Sequence, residues 1–533
     1  MRRPGLSGLV VAALIAVACG GQDGGGGATP GATPGGNGEQ PTPAARQELV
    51  VAYGADQFQL ELNKKRLGMY PLNANICEPP VQLTEDFQVA PLLATDWEYV
   101  GENTYRFTLR EGVTFHDGSE LTAEDAEYSI DLTTEEPETN YSFLDAGSAT
   151  ATGDMQLEIT PTQQNVRLID QMTHPTYSVM PSGTDPTVEP VCTGPFRFVE
   201  YVENDHLTVE RNDDYWGEPA QLERITFRFI PDAATRVLAL QSQEVDAIAD
   251  VDRAQVSSLR QQSGVKVVTA PPGQVIVLYI AQRGSDGSEK ITADPAVRRA
   301  IAHAIDREGL VNGVLDGNAE VVSTVNPPSV LGERADRIEG VAHDPERARR
   351  VLDEAGWTQP GGGQVRSKAG QPLALTMIYD SSRVSADVAQ YVQAQLAEVG
   401  IQADIEQLDK AAYQERIDTG QYDLDIEAPN QNDSNPAFLL ALRWYSKSKV
   451  RNAQYVSIGP AYDALIDQAL SEPDREEVKR IAAEAMQLLV DEEVGTVPLA
   501  GTFRIYAVSE KVQGFEPHPS GINQSWATVW LSE

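Results

Sequence analysis

Strand patterns and helix patterns alternate along most of this chain, and that alternation restricts the folds open to it. The segment TYRFTLR places Tyr105, Phe107 and Leu109 on one face and polar side chains on the other, which is typical of a half-buried strand. Helix patterns begin at recognisable caps, at Thr122 in LTAEDAEYSIDL and at Asp294 in DPAVRRAIAHAIDREGL. Strands that alternate with amphipathic helices predict an α/β fold.

Further segments extend the same alternation. LVVAY at 49–53 and RITFRFI at 224–230 predict strands, and DPERARRVLDEAGW predicts a helix that begins at Asp344 and stops at Gly356. SADVAQYVQAQLAEVG and REEVKRIAAEAMQLLVDE predict two more amphipathic helices. FHDG is typical of a turn, and TQPGGGQVRSKAGQP of a surface loop or hairpin.

The first 48 residues form a separate kind of segment. Two arginines precede an apolar run over 6–18, which at about 20 Å as a helix is too short to cross a bilayer core of about 30 Å. We interpret 1–18 as a signal peptide, with AVAC ending at Cys19 resembling a bacterial lipobox in which that cysteine carries lipid. An ordinary signal peptide that contains a cysteine is the alternative. The Gly- and Pro-rich stretch that follows, 19–48, predicts a disordered tether.

Length and charge narrow the classes of function. Most of the 533 residues follow the tether, too many for one simple core, so two or three lobes are expected. The net charge of −38, from 79 acidic and 41 basic residues, repels phosphate backbones and makes nucleic acid an unsuitable partner. Acidic residues are spread along the chain, which favours a soluble monomer over a cation site.

Motifs of common enzymes are absent from the sequence. The six histidines are scattered, without the spacing of metal ligands, and neither His-Glu-x-x-His nor Cys-x-x-Cys occurs. The body contains no Gly-x-Ser-x-Gly elbow and no phosphate-binding loop. These absences do not exclude an enzyme, because catalytic groups are often distant in sequence, but they make an enzyme less expected; we expect no metal or cofactor.

The number of cysteines is compatible with a disulfide formed in an oxidising compartment. If Cys19 carries lipid, Cys77 and Cys192 remain as an even pair, and pairing is reasonable in an oxidising compartment. Two separate buried thiols are the alternative, because spacing alone does not show that the two approach each other.

Several ordered segments together resemble one family, the extracytoplasmic solute-binding proteins of family 5. These are the dipeptide, oligopeptide and nickel receptors of ABC importers. The resemblance covers nearly all of 49–533. It is carried by VAPLLATDWEYVGENTYRFTLREGVTFHDGSELTAED, CTGPFRFVEYVENDHLTVERNDDYWG, ERITFRFIPDAATRVLALQSQEVD, DPAVRRAIAHAIDREGLV, AQYVQAQLAEVGI, YDLDI and VPLAGTFRIYAV.

The resemblance implies an architecture. The fold class is an α/β, two-lobed periplasmic-binding-protein type II fold with an extra subdomain on lobe one and two crossover segments. Lobe one is then expected from 49–83, 193–282 and 499–533, the extra subdomain from 84–192, and lobe two from 283–498. The segments PGQVIVLYIAQ and GTVPLAGTF are the expected crossovers. A disulfide between the two body cysteines would tie lobe one to the border of its subdomain.

The resemblance also implies a function without catalysis. Lobes close over a ligand like a hinge, and the closed form docks on a membrane permease that works with an ATPase. The expected protein is a monomeric receptor, extracytoplasmic and held to the membrane through its N-terminal lipid, that captures peptides or similar small polar solutes. A sensor or an oligosaccharide or chelate receptor on the same fold is the alternative, and an extracytoplasmic hydrolase is a further one.

The resemblance implies ligand residues less directly. In dipeptide-binding relatives a carboxylate in the loop matched by 427–436 pairs with the ligand's amino terminus, and the matching position here is Asn432, with Asp433 next to it. The arginine that pairs with the ligand carboxylate corresponds best to Arg383. A solvated loop arginine and an Asx turn are the alternatives for Arg383 and Asp433.

Aromatic residues are candidates for the wall of the cleft. Tyr279 and Trp444 are the two that we single out as ligand contacts, with core packing as the alternative reading for each.

Overall fold

A computed structural model gives the architecture of the chain. It describes residues 41–56, 58, 71–134, 144, 147–161, 167–185, 190–359, 365–381, 384, 386–429, 431, 434–448 and 451–533. Pro43–Glu533 forms one compact unit. Among these described residues, the strands form three large sheets and three two-stranded ribbons.

The first large sheet has seven strands and defines what we call the seven-stranded lobe. Its central strand Glu48–Tyr53 pairs in parallel with the strands on both sides, and the outer pairs are antiparallel. The strands in spatial order are Val265–Thr269, Ile505–Ser509, Ala247–Ile248, Glu48–Tyr53, Arg224–Phe229, His206–Arg211 and Phe196–Val202. Helices Ala233–Gln241 and Arg253–Arg260 belong to this lobe.

The second large sheet has six strands and defines the six-stranded lobe. The strands in spatial order are Ala319–Glu320, Thr496–Thr502, Gln274–Ile280, Leu424–Glu427, Ala374–Asp380 and Gln402–Leu408. Alternate side chains of Gln274–Ile280 enter opposite cores, because successive residues of a strand face opposite sides of the sheet. Its α-helices are Pro295–Ala304, Arg307–Gly309, Pro328–Leu331, Pro345–Glu354, Ala386–Glu398, Lys410–Thr419, Pro436–Trp444, Arg451–Tyr455, Pro460–Ala469 and Arg475–Gln487.

The third large sheet defines the four-stranded subdomain, which has its own apolar core. Helices Ala123–Thr134 and Leu168–Gln171 pack with it. The strands in spatial order are Ala94–Gly101, Thr104–Leu109, Gln156–Ile159 and Ala149–Gly153. Next to it, Cys77 and Cys192 form a buried disulfide whose Cα atoms are 4.9 Å apart.

Two chain segments pass from one lobe to the other. Strand Val265–Thr269 of the seven-stranded lobe is followed by Gln274–Ile280 of the six-stranded lobe, and Thr496–Thr502 is followed by Ile505–Ser509 in the reverse direction. The structure is therefore the two-lobed α/β fold with two crossovers that the resemblance implied. The exact ranges of the two lobes and the extra subdomain given above stay predictions.

Local sequence signals for the helices are confirmed. The Asp294 carboxylate accepts a hydrogen bond from the Ala296 amide at the start of Pro295–Ala304, and Asp344 does the same for the Arg347 amide. Thr122 precedes Ala123–Thr134, and its amide and hydroxyl both donate to Asp125 Oδ2 at 2.8 Å. Each of these signals acts within four residues along the chain, which is why sequence alone locates it.

The folded unit begins earlier than expected. Pro43 pairs with Ser532, and the Ala44 amide donates to the Leu531 carbonyl at 2.7 Å. The Gln47 amide group donates to the same carbonyl at 2.8 Å. The stretch 43–48 therefore packs on the chain's C-terminal segment, which corrects the expected tether boundary of 48; the rest of the expected signal peptide and tether lies outside the described residues except for 41 and 42. Within the described part of the chain, none of the helices has the length and apolar composition needed to span a bilayer.

Candidate ligand cleft between the lobes

A cavity of about 480 Å³ lies where the two crossovers leave the seven-stranded lobe. Both lobes line it, with Gln274 and Ala428 on one side and Asp250 and Arg504 on the other. The volume falls in the range of small-molecule sites. The wall combines polar groups from two bodies, as a site that closes around a ligand requires. The remaining lining residues are Val251, Asp252, Arg253, Gly273, Ile276, Asn318, Val384, Thr502, Phe503, Ile505 and Pro519.

An ion pair occupies the wall of the seven-stranded lobe. Arg504 Nη1 donates to Asp250 Oδ1 at 3.1 Å, and the side chains are 29% and 44% exposed. Asp250 adopts φ = 51°, so its loop is held in a left-handed conformation between Ala247–Ile248 and helix Arg253–Arg260. Arg236 stabilises that loop, because its Nη2 donates a hydrogen bond to the Asp250 carbonyl at 3.3 Å.

The Arg504 guanidinium packs directly against Gly521. A Cβ at Gly521 would lie 2.3 Å from Arg504 Cζ, and the residue has φ = +73°, where a glycine is favoured. Burial alone would lower the pKa of Arg504, but the combined attraction of Asp250, Tyr506 and Tyr53 raises it above its ordinary value. The guanidinium therefore stays charged, able to bind an anionic group of a solute.

The opposite wall carries amide groups. Asn318 Oδ1 accepts from Arg260 Nη2 at 3.3 Å, which links the two lobes beside the cavity. The Gln431 backbone N–H donates to the Gly273 carbonyl at 3.3 Å, at the start of the first crossover and outside the cavity lining. Together with the ion pair, the side-chain amides of Asn318 and Gln274 can recognise a solute that has both hydrogen-bonding groups and charge.

The predicted ligand residues have different outcomes. Arg383, Asn432 and Asp433 lie outside the described residues, and their ligand roles stay predictions. Val384, next to Arg383, lines the cavity, as does Ala428 in the same segment as Asn432, whereas Gln431 and Ser434, which flank Asn432 and Asp433, do not.

The two predicted aromatic contacts need a correction. Tyr279 and Trp444 are each 1% exposed and stack with ring centroids 4.9 Å apart in the core of the six-stranded lobe. Neither ring lines the cavity. Tyr279 points to the core face of its strand together with Val277, so both aromatic residues are packing residues in this structure.

Sequence reasoning missed Arg504 and Asp250. Arg504 stands in the segment GTFRIYAV that carries part of the family resemblance, but its partner is 254 residues away along the chain. Within the ranges that the structure describes, no three side chains of His, Cys, Asp and Glu gather as a metal site.

Comparison with known proteins places the chain in a family. The family model described as "Bacterial extracellular solute-binding proteins, family 5 Middle" matches residues 88–450. The nickel-binding periplasmic protein of Escherichia coli K12 is 24% identical over 476 residues, 85% of this chain and 88% of the relative. Oligopeptide-binding protein AppA of Bacillus subtilis 168 is 25% identical over 470 residues, 82% of each chain.

A solved structure supports the same fold. NikA from Brucella suis in complex with Fe(III)-EDTA superposes with a TM-score of 0.80 at 23% identity, covering 91% of this chain and all of the other. The family match covers more than half of the chain, and the two lobes and crossovers agree with it. This protein therefore belongs to the bacterial extracellular solute-binding proteins of family 5, the solute receptors of ABC importers.

Proposed function

We propose that this protein captures a peptide or a similar small polar solute in the cleft and delivers it to a membrane permease and its ATPase. The observation that carries the proposal is the cavity lined by both lobes with the Arg504–Asp250 pair in its wall. The paired charges suit a solute that carries a carboxylate together with a positive or hydrogen-bond-donating group. The receptor acts by binding and closing, not by catalysis.

Attachment to the membrane is part of the same proposal. The lipobox-like AVAC, with lipid on Cys19, would hold the receptor as a monomer on the outer side of the cell membrane, near its permease. A metal chelate is the second candidate cargo, because a nickel-binding protein and a structure that holds Fe(III)-EDTA are among the similar proteins.

Native mass spectrometry of the gently purified protein tests the proposal. The expected result is a mass shift from a bound solute, which is then released and identified. A peptide supports the first candidate, and a metal chelate supports the second. No mass shift, together with no thermal stabilisation by a broad panel of peptides and chelates, would contradict the receptor proposal.

Variants test the site with the identified solute. Arg504→Gln removes a charged donor whose hydrogen bond to an anionic group is worth about 1.5–3 kcal/mol, so the affinity should fall by at least about tenfold. Arg228→Gln is the matched control, because Arg228 is a half-exposed arginine of the same lobe outside the cavity lining. Arg383→Gln and Asp433→Asn test the two predicted ligand residues in the same assay. An unchanged affinity in Arg504→Gln would remove that residue from the site.

A further inference from the structure

The four-stranded subdomain contacts the six-stranded lobe, although the two are not neighbours along the chain. The chain leaves the subdomain through the seven-stranded lobe and reaches the six-stranded lobe only by the crossovers. Each has its own core. A contact between them therefore bridges bodies that a hinge at the crossovers would separate.

An ion pair between a buried carboxylate and a one-third-exposed arginine lies at the centre of this contact. Asp170, on helix Leu168–Gln171 of the subdomain, is 1% exposed. Its Oδ1 accepts from Arg475 Nη1 at 2.7 Å and also from the Ser434 hydroxyl. Arg475 Nη2 donates to the same hydroxyl at 2.8 Å. The three groups form a closed triangle, with the carboxylate from the subdomain and both donors from the six-stranded lobe.

Other contacts surround the triangle. The Arg167 guanidinium carbon lies 3.5 Å from the centre of the Phe438 ring, and Lys479 Nζ donates to Gln88 Oε1 at 3.0 Å. Phe87, between the paired strands Val81–Leu83 and Val89–Pro91 that precede the four-stranded sheet, packs in an apolar cluster with Val330 of the six-stranded lobe. The Asp170 carboxylate and this apolar cluster are thus shielded from water only while the two bodies touch.

We propose that the four-stranded subdomain acts as a latch on the six-stranded lobe, with the Asp170–Arg475–Ser434 triangle as its fastening. A buried carboxylate without its cation is strongly disfavoured, so the triangle is either fully formed or opened to water. The latch would therefore favour two distinct states of the cleft over a continuous range.

The latch is placed to respond to the cleft. Ser434 follows closely in sequence after Ala428, which lines the cavity, and after Gln431, whose backbone N–H donates to Gly273 of the first crossover. A solute that displaces Ala428 would therefore act close to the Ser434 hydroxyl along the chain. The latch proposal rests on the contact itself and not on the identity of the solute.

Small-angle X-ray scattering of the purified protein without added solute tests the latch. Arg475→Gln leaves Asp170 without its cation, and the equilibrium constant for closure should fall by at least about tenfold, with a larger radius of gyration. Asp170→Asn should open the protein less, because an amide still bonds to Ser434. Asp467→Asn is the control, since it removes an exposed ion pair with Lys447 inside the six-stranded lobe alone.

The radii of gyration of the variants, compared with that of the wild type, test the proposal. Larger radii in Arg475→Gln than in Asp170→Asn, with Asp467→Asn equal to the wild type, support the latch, provided that thermal melts show all four proteins folded. Equal radii in the wild type and both latch variants overturn it. Since no solute is needed, this failure is distinct from failure of the receptor proposal.

Discussion

Gly273 lies at the start of the first crossover, where its α-carbon faces the backbone of Pro519. A Cβ at this position would lie 1.8 Å from the Pro519 carbonyl oxygen and 2.6 Å from the carbonyl carbon. A backbone carbonyl cannot swing aside as a flexible side chain can. We expect Gly273→Ala to lower the free energy of unfolding by about 1–3 kcal/mol, as overpacking in a well-packed region does, measured by urea denaturation.

Gly313→Ala is the control for that prediction. Gly313 lies in the π-helical turn Leu310–Val314, and a Cβ there meets no atom within 4 Å. Alanine favours helical backbone over glycine, so this variant should be neutral or slightly stabilising. Equal stability of the two variants would show that the crossover backbone adjusts freely.

Glu78 gives a prediction for the dependence of stability on pH. Its carboxylate is 5% exposed and accepts from Tyr215 at 2.6 Å, Trp216 at 2.9 Å and Thr193 at 2.8 Å. Burial raises the pKa of Glu78 above its ordinary 4.5, although the three hydrogen bonds lower it in part. Between pH 4.5 and the raised pKa the folded state binds more protons than the unfolded state, so this residue makes stability fall as pH rises.

Glu78→Gln tests that sign. The amide cannot titrate, so the variant lacks the decrease, and its stability deficit relative to wild type should be largest near pH 4.5 and smaller at neutral pH. Urea unfolding of both proteins at the two pH values measures this difference. A deficit that grows toward neutral pH would mean that the charged form is the one that the three donors stabilise.

The limits of sequence reasoning are clearest at single residues. Asp344 could be identified as a helix cap because its partner is three residues away. Asp250 and Arg504 could not be paired, because only the fold brings them together. The sequence around Tyr279 and Trp444 fits both a buried core and a cleft wall. The packing of helix Pro436–Trp444 on the sheet places both side chains in the core.

At the scale of elements, the disulfide joins the ends of a long segment. Cys77 and Cys192 are 115 residues apart and enclose the four-stranded subdomain. Closing so long a loop removes entropy from the unfolded chain, so replacing both cysteines by alanine should lower the free energy of unfolding by about 2–5 kcal/mol. Equilibrium urea denaturation, with and without a reductant, measures this loss.

The reductant provides the internal control. It should lower the stability of the wild type to that of the double variant and leave the double variant unchanged. A double variant as stable as the oxidised wild type would show that the bond constrains the unfolded chain little. Sequence composition favoured this pairing, but only the fold shows that Gly194, two residues after Cys192, hydrogen-bonds through its amide to the Ile76 carbonyl next to Cys77.

The two-lobed arrangement could be predicted from the sequence because many segments, in a fixed order along the chain, each indicate part of it. Each segment is short and locally readable, such as the strand Thr104–Leu109 or the helix Ala386–Glu398. The latch contact was not accessible, since it joins Asp170 to a residue 305 positions away. Long-range polar contacts leave no periodic trace in the sequence.

At the scale of the whole molecule, the net charge predicts how thermal stability depends on salt concentration. The chain carries −38 at pH 7, and like charges repel more strongly in the folded state than in the expanded one. Salt shortens the range of that repulsion, with a Debye length of about 30 Å at 0.01 M and about 10 Å at 0.1 M. We expect the thermal midpoint to rise by a few degrees over this range of KCl at neutral pH, measured by differential scanning calorimetry.

The same measurement near pH 4.5 separates repulsion from other effects of salt. This pH is the isoelectric point of the sequence, so the net charge is small and the increase should disappear. Screening also weakens attractive pairs, among them Asp170–Arg475, whose arginine is one-third exposed. A midpoint that falls with salt at neutral pH would therefore mean that attractive pairs of this kind outweigh the overall repulsion, and the latch variants would then show a smaller decrease than the wild type.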